Sequence, residues 1–175
     1  MAEKRTTTAQ RKARETFLFA DLCGFTEYTS LHGDELAADL AVSFHRLVRK
    51  LAAEEGCDLV KCIGDGVMIH SVDCRIAVRL AQRILALGDC EGRPPIRIGI
   101  DRGPAVRRAG DWYGDTVNVA ARVADAAIGG ELLITERARN AIAGTARASL
   151  VARGVVRLKG LPALSLHSGR LRLAA

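Results

Sequence analysis

Five polar side chains stand in surroundings that make them conspicuous: Asp21, Asp65, Lys61, Asn118 and Arg122. Asp21 ends the apolar half of Phe17-Leu18-Phe19-Ala20-Asp21-Leu22-Cys23-Gly24-Phe25-Thr26. An apolar run rich in aromatics reads as a buried strand. Gly24 then allows a sharp turn, and Thr26 can cap the next element. A carboxylate where a buried strand meets a glycine turn is costly unless something positive meets it. Asp21 therefore either caps a nearby turn or holds a metal ion. Asp65 lies in Gly64-Asp65-Gly66 between two apolar runs. That is a hairpin tip, and Asp-Gly is a preferred hairpin turn in its own right. If Asp21 and Asp65 converge at one sheet edge, the pair suits Mg²⁺ or Mn²⁺, hard cations that take oxygen ligands and share them with substrate phosphates. Two such ions can drive in-line displacement at phosphorus.

Lys61 precedes Asp65 by four residues, and strand alternation would put the two on one face. As a structural residue it is simply a solvated strand lysine. Asn118 and Arg122 are spaced i, i+4 in Thr116-Val117-Asn118-Val119-Ala120-Ala121-Arg122, one above the other on a helix. They form a polar stripe in an apolar segment. The stripe is either a solvated face with a local hydrogen bond or a device that positions a ribose through Asn and meets phosphoryl charge through Arg.

The elements that must hold these residues emerge from periodicity. Residues 1–14 are polar and basic and read as a mobile tail. A first strand covers about Thr16–Leu22, and a turn is predicted through Ser30. Gly33-Asp34-Glu35 opens a long helix, with acids in the first turn where the dipole favours them. Leu36, Leu40, Phe44, Leu47, Val48 and Leu51 recur at helical spacing as a core or dimer face, and Gly56 stops it. Cys57–Ile63 and Val67–Val72 form the hairpin around Gly64-Asp65-Gly66. Asp73 opens a second helix, with Ile76, Ala77, Leu80, Ile84 and Leu87 on one side and Gly88 at its end. Ile96–Ile100 alternates as a strand, and a polar reversal covers Val106–Gly110. A helix is expected from about Thr116 to Ala127, stopped by Gly129-Gly130. A short strand (Glu131–Ile134), a helix (about Thr135 to Ala143) and two closing strands (about Ser149–Leu158 and Ala163–Ser168) complete the order. The fold class is α+β: a ferredoxin-like βαββαβ core with extra C-terminal α/β elements, helices packed on a mostly antiparallel sheet.

Composition narrows the function classes. The 175 residues fit one domain with room for a core, and 49% hydrophobic residues are too many for a disordered chain. No apolar run reaches the ~18 residues that span a bilayer. The N-terminus lacks the apolar stretch of a signal peptide, so a cytoplasmic protein with no membrane partner is expected. Cys23, Cys57, Cys62, Cys74 and Cys90 form no CxxC pair and read as reduced, mostly buried thiols. The four histidines show no metal-ligand spacing. The net charge of +6 invites a nucleic-acid reading. However, much of the basic excess sits in the head of the chain, and one Trp, two Tyr and four Phe offer no stacking platform.

Three stretches together carry a resemblance: Phe19-Ala20-Asp21-Leu22-Cys23-Gly24-Phe25-Thr26, Lys61-Cys62-Ile63-Gly64-Asp65-Gly66, and Asp111-Trp112-Tyr113-Gly114-Asp115-Thr116-Val117-Asn118-Val119-Ala120-Ala121-Arg122. In this order and register the chain resembles the catalytic domain of class III nucleotidyl cyclases from about Phe17 to Leu171. The domain boundaries expected are 15–175 for the catalytic domain, behind the tail.

The resemblance implies roles. Asp21 and Asp65 would be the metal carboxylates, with the Leu22 carbonyl as a further ligand, for two divalent ions, Mg²⁺ or Mn²⁺. Lys61 and Asp111 match the pair that reads the purine in adenylyl cyclases. Adenine offers an acceptor at N1 and a donor at N6, which suit a Lys and an Asp. The guanylyl branch typically carries Glu and a small residue or Cys there, and this chain has neither. Asn118 and Arg122 match the ribose-orienting and transition-state residues. Lys159, in Arg157-Leu158-Lys159-Gly160, matches a lysine for the terminal phosphates, on a shorter motif. The implied reaction forms cyclic AMP and pyrophosphate from ATP, at sites shared between two subunits of a homodimer. The connection between Ile100 and Asp111 is shorter than in relatives where it clasps the dimer, so a weak dimer is expected. The rival readings are a nucleotide-binding regulatory module without turnover and a guanylyl cyclase. The sequence is expected to be a stand-alone enzyme or the catalytic part of a longer one.

Overall fold

The computed structural model describes residues 14–88, 92–144 and 150–170. Residues 1–13 of the expected tail, Cys90 and Ser149 lie outside them. The elements run β1 (Arg14–Leu22), α1 (Phe25–His32), α2 (Asp34–Glu54), β2 (Asp58–Ile63), β3 (Gly66–Ser71), α3 (Cys74–Leu85), β4 (Ile96–Pro104), β5 (Val106–Arg108), β6 (Asp111–Tyr113), α4 (Asp115–Ala126), β7 (Glu131–Thr135), α5 (Glu136–Ala141), β8 (Val151–Val156) and β9 (Leu164–Arg170).

One sheet has the order β2-β3-β1-β4-β7-β9-β8. Its first four strands are the antiparallel ferredoxin-like core, β1 pairing with both β3 and β4. The pair β4–β7 is parallel and the rest antiparallel, as the fold class expects. Alternation on β1 divides its side chains between two faces. Leu18, Ala20 and Leu22 join Phe44, Val48, Ala77, Leu80 and Ile84 in the main core beneath α2 and α3. Phe17 lies on the other face with Met68 and Ala120, next to Phe19, Val60, Val117 and Trp112. Asp21 has the parity of Phe17 and Phe19. It therefore emerges on the face that α4 crosses.

Two glycines make that face possible. A Cβ on Gly99 of β4 would stand 2.1 Å from the Ala124 nitrogen and 2.6 Å from the Ala120 oxygen, so α4 rests directly on the strand backbone. A Cβ on Gly66 would stand 3.0 Å from Asp21 Oδ1, so the hairpin tip closes on the end of β1.

Several local expectations change. The stretch after Gly24 is a helix, α1, and not a turn. It buries no residue, so no apolar stripe announced it. Thr26 does not cap it. Gly24 is the N-cap at φ 71°, with no side-chain cap bond, while Thr26 already lies in the first turn. The hairpin turn is Gly64-Asp65, because Ile63 pairs with Gly66. Gly64 takes the positive φ of 58°, as the first central position of a II′-type turn requires, so the turn lies one residue before the expected Asp-Gly. Arg14 belongs to β1. The polar reversal at 106–110 is part of a separate two-stranded sheet, β5–β6. Leu36, assigned to the stripe of α2, is 54% exposed. Of the described cysteines, Cys57 and Cys74 are buried, but Cys23 is half-buried and Cys62 exposed. Among the described residues no helix is long and apolar enough to cross a membrane.

Candidate functional site

The end of β1 and the tip of the β2–β3 hairpin bring Asp21 and Asp65 together. Burial and the neighbouring Asp21 charge push the Asp65 carboxyl up to about 6. A side-chain hydrogen bond with Asp21 acts in the same direction, while hydrogen bonds to the main chain of Asp65 and Leu22 oppose it. Two carboxylates this close hold more negative charge than the protein around them neutralises, and this is the donor set a hard divalent cation requires. Leu22 itself is buried, with its side chain on the opposite face. Among the described residues no third His, Cys, Asp or Glu completes a cluster of metal ligands. A cation here would therefore leave most of its coordination sphere to main-chain oxygen, water and substrate.

The nearest positive charge is Arg97, which in the sequence is simply a polar position of an alternating strand. Asp21 and Arg97 are cross-strand partners on β1 and β4. The guanidinium reaches Asp21 Oδ2 from Nε at 3.0 Å and from Nη2 at 2.5 Å. Arg97 Nη1 also donates to the Asp125 carbonyl at 3.1 Å, and Asp125 Oδ2 accepts from Arg122 Nη1 at 3.1 Å. Arg122 is thus held at i, i+3 by Asp125 rather than paired with Asn118. Asn118 and Arg122 lie on α4, with the Arg122 side chain 50% exposed.

Helix α4 is fixed by more than Gly99. Asp101 on β4 is fully buried and accepts from Thr135 Oγ1 at 2.6 Å and Arg137 Nε at 2.7 Å. Arg137 also stands 3.5 Å from Asp115 at the start of α4. Thr116 Oγ1 donates to the Pro104 carbonyl at 2.7 Å.

Lys61 and Asp111 form a second group. Lys61 Nζ donates to Asp111 Oδ2 at 2.5 Å, joining β2 to β6 across fifty residues of sequence. The Trp112 amide donates to Asp111 Oδ1 at 2.8 Å. The lysine bond, and then the Trp112 amide, hold the Asp111 carboxyl below the usual carboxylate range. Lys61 is not paired with Asp65, although the two share the hairpin. The strand alternation ends at Ile63, which pairs with Gly66, and Asp65 lies in the turn beyond it. Lys159 lies exposed between β8 and β9. Leu158 and Leu161, which flank it, pack with Val119 and Val123 of α4, so the loop of Lys159 is attached to the helix that carries Asn118 and Arg122.

The sequence model of the adenylate and guanylate cyclase catalytic domain matches residues 7–168. A pH-sensitive adenylate cyclase of Mycobacterium tuberculosis is 36% identical over 128 residues, 73% of this chain and 32% of that protein. An adenylate cyclase of Streptomyces griseus is 38% identical over 106 residues, 60% of this chain and 27% of that protein. The chain therefore spans about a third or less of the length of these curated relatives. A structure of Trypanosoma brucei adenylate cyclase in its monomeric state superposes with a TM-score of 0.78 at 27% identity, covering 90% of this chain and 88% of that one.

Proposed function

The chain belongs to the adenylate and guanylate cyclase catalytic domain family, and we propose that it is an adenylyl cyclase that converts ATP to 3′,5′-cyclic AMP and pyrophosphate, with residues 15–175 as the catalytic domain. The observation that carries the substrate choice is the pairing of Lys61 with Asp111. When a purine enters between them, the ammonium donates to adenine N1 and the carboxylate accepts from N6. Guanine offers O6 as an acceptor and N1–H as a donor, which reverses the demand at both positions.

The reaction joins the ribose 3′-oxygen to the α-phosphorus, breaks the bond to pyrophosphate and releases the hydroxyl proton. Asp21 and Asp65, with the Leu22 carbonyl, would hold two divalent ions, Mg²⁺ or Mn²⁺, which would supply Lewis-acid stabilisation of the ionised 3′-hydroxyl and of the phosphate charge. Arg97 neutralises Asp21 within the single chain. Asn118 orients the ribose and Arg122 meets charge developing on the phosphoryl oxygens, a contribution worth ~10²–10³ in rate. Lys159 binds the terminal phosphates. No side chain is assigned as general base.

Two chains complete the site. The aspartates of one copy face the Lys61–Asp111 pair, Asn118 and Arg122 of the other. In support, the Lys61–Asp111 pair shares no partner with the Asp21–Arg97 pair within one chain, while Arg122 reaches Arg97 only through Asp125. The surface at the end of β2 and on the β5–β6 hairpin, the strands that carry Lys61 and Asp111, leaves apolar side chains uncovered: Ile63, and the cross-strand partners Val106 and Tyr113, are 50%, 45% and 54% exposed. A two-fold dimer across this face forms two equivalent sites.

The direct test supplies the purified chain with ATP or GTP in Mn²⁺ and, separately, in Mg²⁺, with Asp21→Ala as control. Cyclic AMP that disappears in the control is expected. Cyclic GMP in its place would overturn the purine assignment. No product from a chain that binds ATP and metal would favour a regulatory module.

A further inference from the structure

The hairpin that carries Asp111 is attached to the sheet at two points, and only one of them is consumed by substrate. Register places Asp58, His70 and Phe17 in one row across β2, β3 and β1, and Lys61, Met68 and Phe19 in the next row on the same face. Strand β6 spans both rows. Asp111 bonds Lys61 in one, and Trp112 lies against His70 in the other, ring centroids 4.5 Å apart and planes inclined by 25°. Phe17 meets the indole edge-on at 5.5 Å, and the Arg107 guanidinium covers it at 5.8 Å.

His70 is itself held rigidly. It is 6% exposed. Its Nε2 is 2.7 Å from Glu15 Oε2 and its Nδ1 is 3.5 Å from Asp58 Oδ2. A buried imidazole between two carboxylates has its ring plane fixed, and a fixed ring is a platform for a stacked indole. When a purine separates Lys61 from Asp111, the first attachment of β6 is lost. The stack on His70 then remains to keep the carboxylate at the height of the base.

We propose that His70, oriented by Glu15 and Asp58, is a positioning residue for purine recognition that acts through Trp112 on Asp111. The proposal rests on the reading of Asp111 as a purine contact. It adds a determinant of ATP preference that touches neither substrate nor metal.

Trp112 is the only tryptophan, so its emission reports this hairpin alone. In His70→Ala the emission is expected to change, because the ring stacked on the indole is gone. The KM for ATP should increase about tenfold, the scale of a modest misplacement of a recognition group, with kcat little changed and GTP use unaffected. His70→Phe, which restores a ring but no bond to Glu15, should recover most of the ATP preference even if it lowers the melting temperature. Trp112→Leu removes the same stack from its partly exposed side and should reproduce the selectivity loss if His70→Ala does not fold. In the parent and the His70 variants, which keep Trp112, selectivity can also be read without turnover, by titrating its emission with ATP and with GTP. Unchanged ATP preference in both His70→Ala and Trp112→Leu would overturn the proposal, as would a loss of kcat equal for both nucleotides. Asp111→Ala separates the two claims. If it leaves ATP preference intact, the purine reading itself fails. If it abolishes the preference while the His70 and Trp112 variants keep it, only the positioning role fails.

Discussion

Asp65 carries the chemical tension of the site. Its carboxyl is raised to about 6 by burial and by Asp21, against an ordinary value of 3.8. A carboxyl raised in the folded state opposes folding once ionised, so in chelator the penalty grows as pH rises from about 4 to 6 and persists above. Asp65→Asn is therefore expected to melt higher than the parent in EDTA at about pH 7.5, with the advantage shrinking toward about pH 4. Mn²⁺ should raise the melting temperature of the parent and close the gap. Equal melting of parent and variant in EDTA across this range would mean that the two carboxylates do not meet. At Lys61 and Asp111 the expectation is chemical. Lys61→Glu with Asp111→Cys presents an acceptor to guanine N1–H and removes the acceptor for adenine N6, so product should shift from cyclic AMP toward cyclic GMP. Unchanged cyclic AMP output would remove these residues from base recognition.

At the scale of elements, sequence and structure agree where burial is one-sided and diverge where it is not. The amphipathic helices α2, α3 and α4 announce themselves because one face of each is driven into a core. Helix α1 buries nothing, so its residues carry no period to read. The pair Asp21–Arg97 is hidden for a different reason. It depends on the register of β1 against β4, which links residues 76 positions apart. The His70–Trp112 stack likewise joins two strands whose neighbourhood only the three-dimensional arrangement reveals. Lys61 and Asp111 are legible as a pair through the resemblance, and the fold brings them into contact. Gly99 is the element-scale test. A Cβ there meets main-chain atoms of α4 at 2.1 and 2.6 Å, and backbone cannot yield as a flexible side chain does. Overpacking costs ~1–3 kcal/mol in ordinary cores. Gly99→Ala is expected to reach at least the upper end of that range in urea unfolding, and to depress kcat by displacing Asn118 and Arg122. A variant as stable and active as the parent would mean that α4 does not rest on β4 as described.

At the scale of the molecule, the proposal puts each complete site between two copies of the chain. Specific activity is expected to fall on dilution, because the short β5–β6 hairpin offers little surface to clasp a partner. The decisive measurement mixes Asp21→Ala chains with Arg122→Ala chains under conditions where subunits demonstrably exchange, and follows cyclic AMP. Each variant alone should be inactive. The mixed dimer restores one intact site in two, so an equal mixture should recover up to about a quarter of the parent activity. No recovery despite proven exchange would contradict a site shared between two copies.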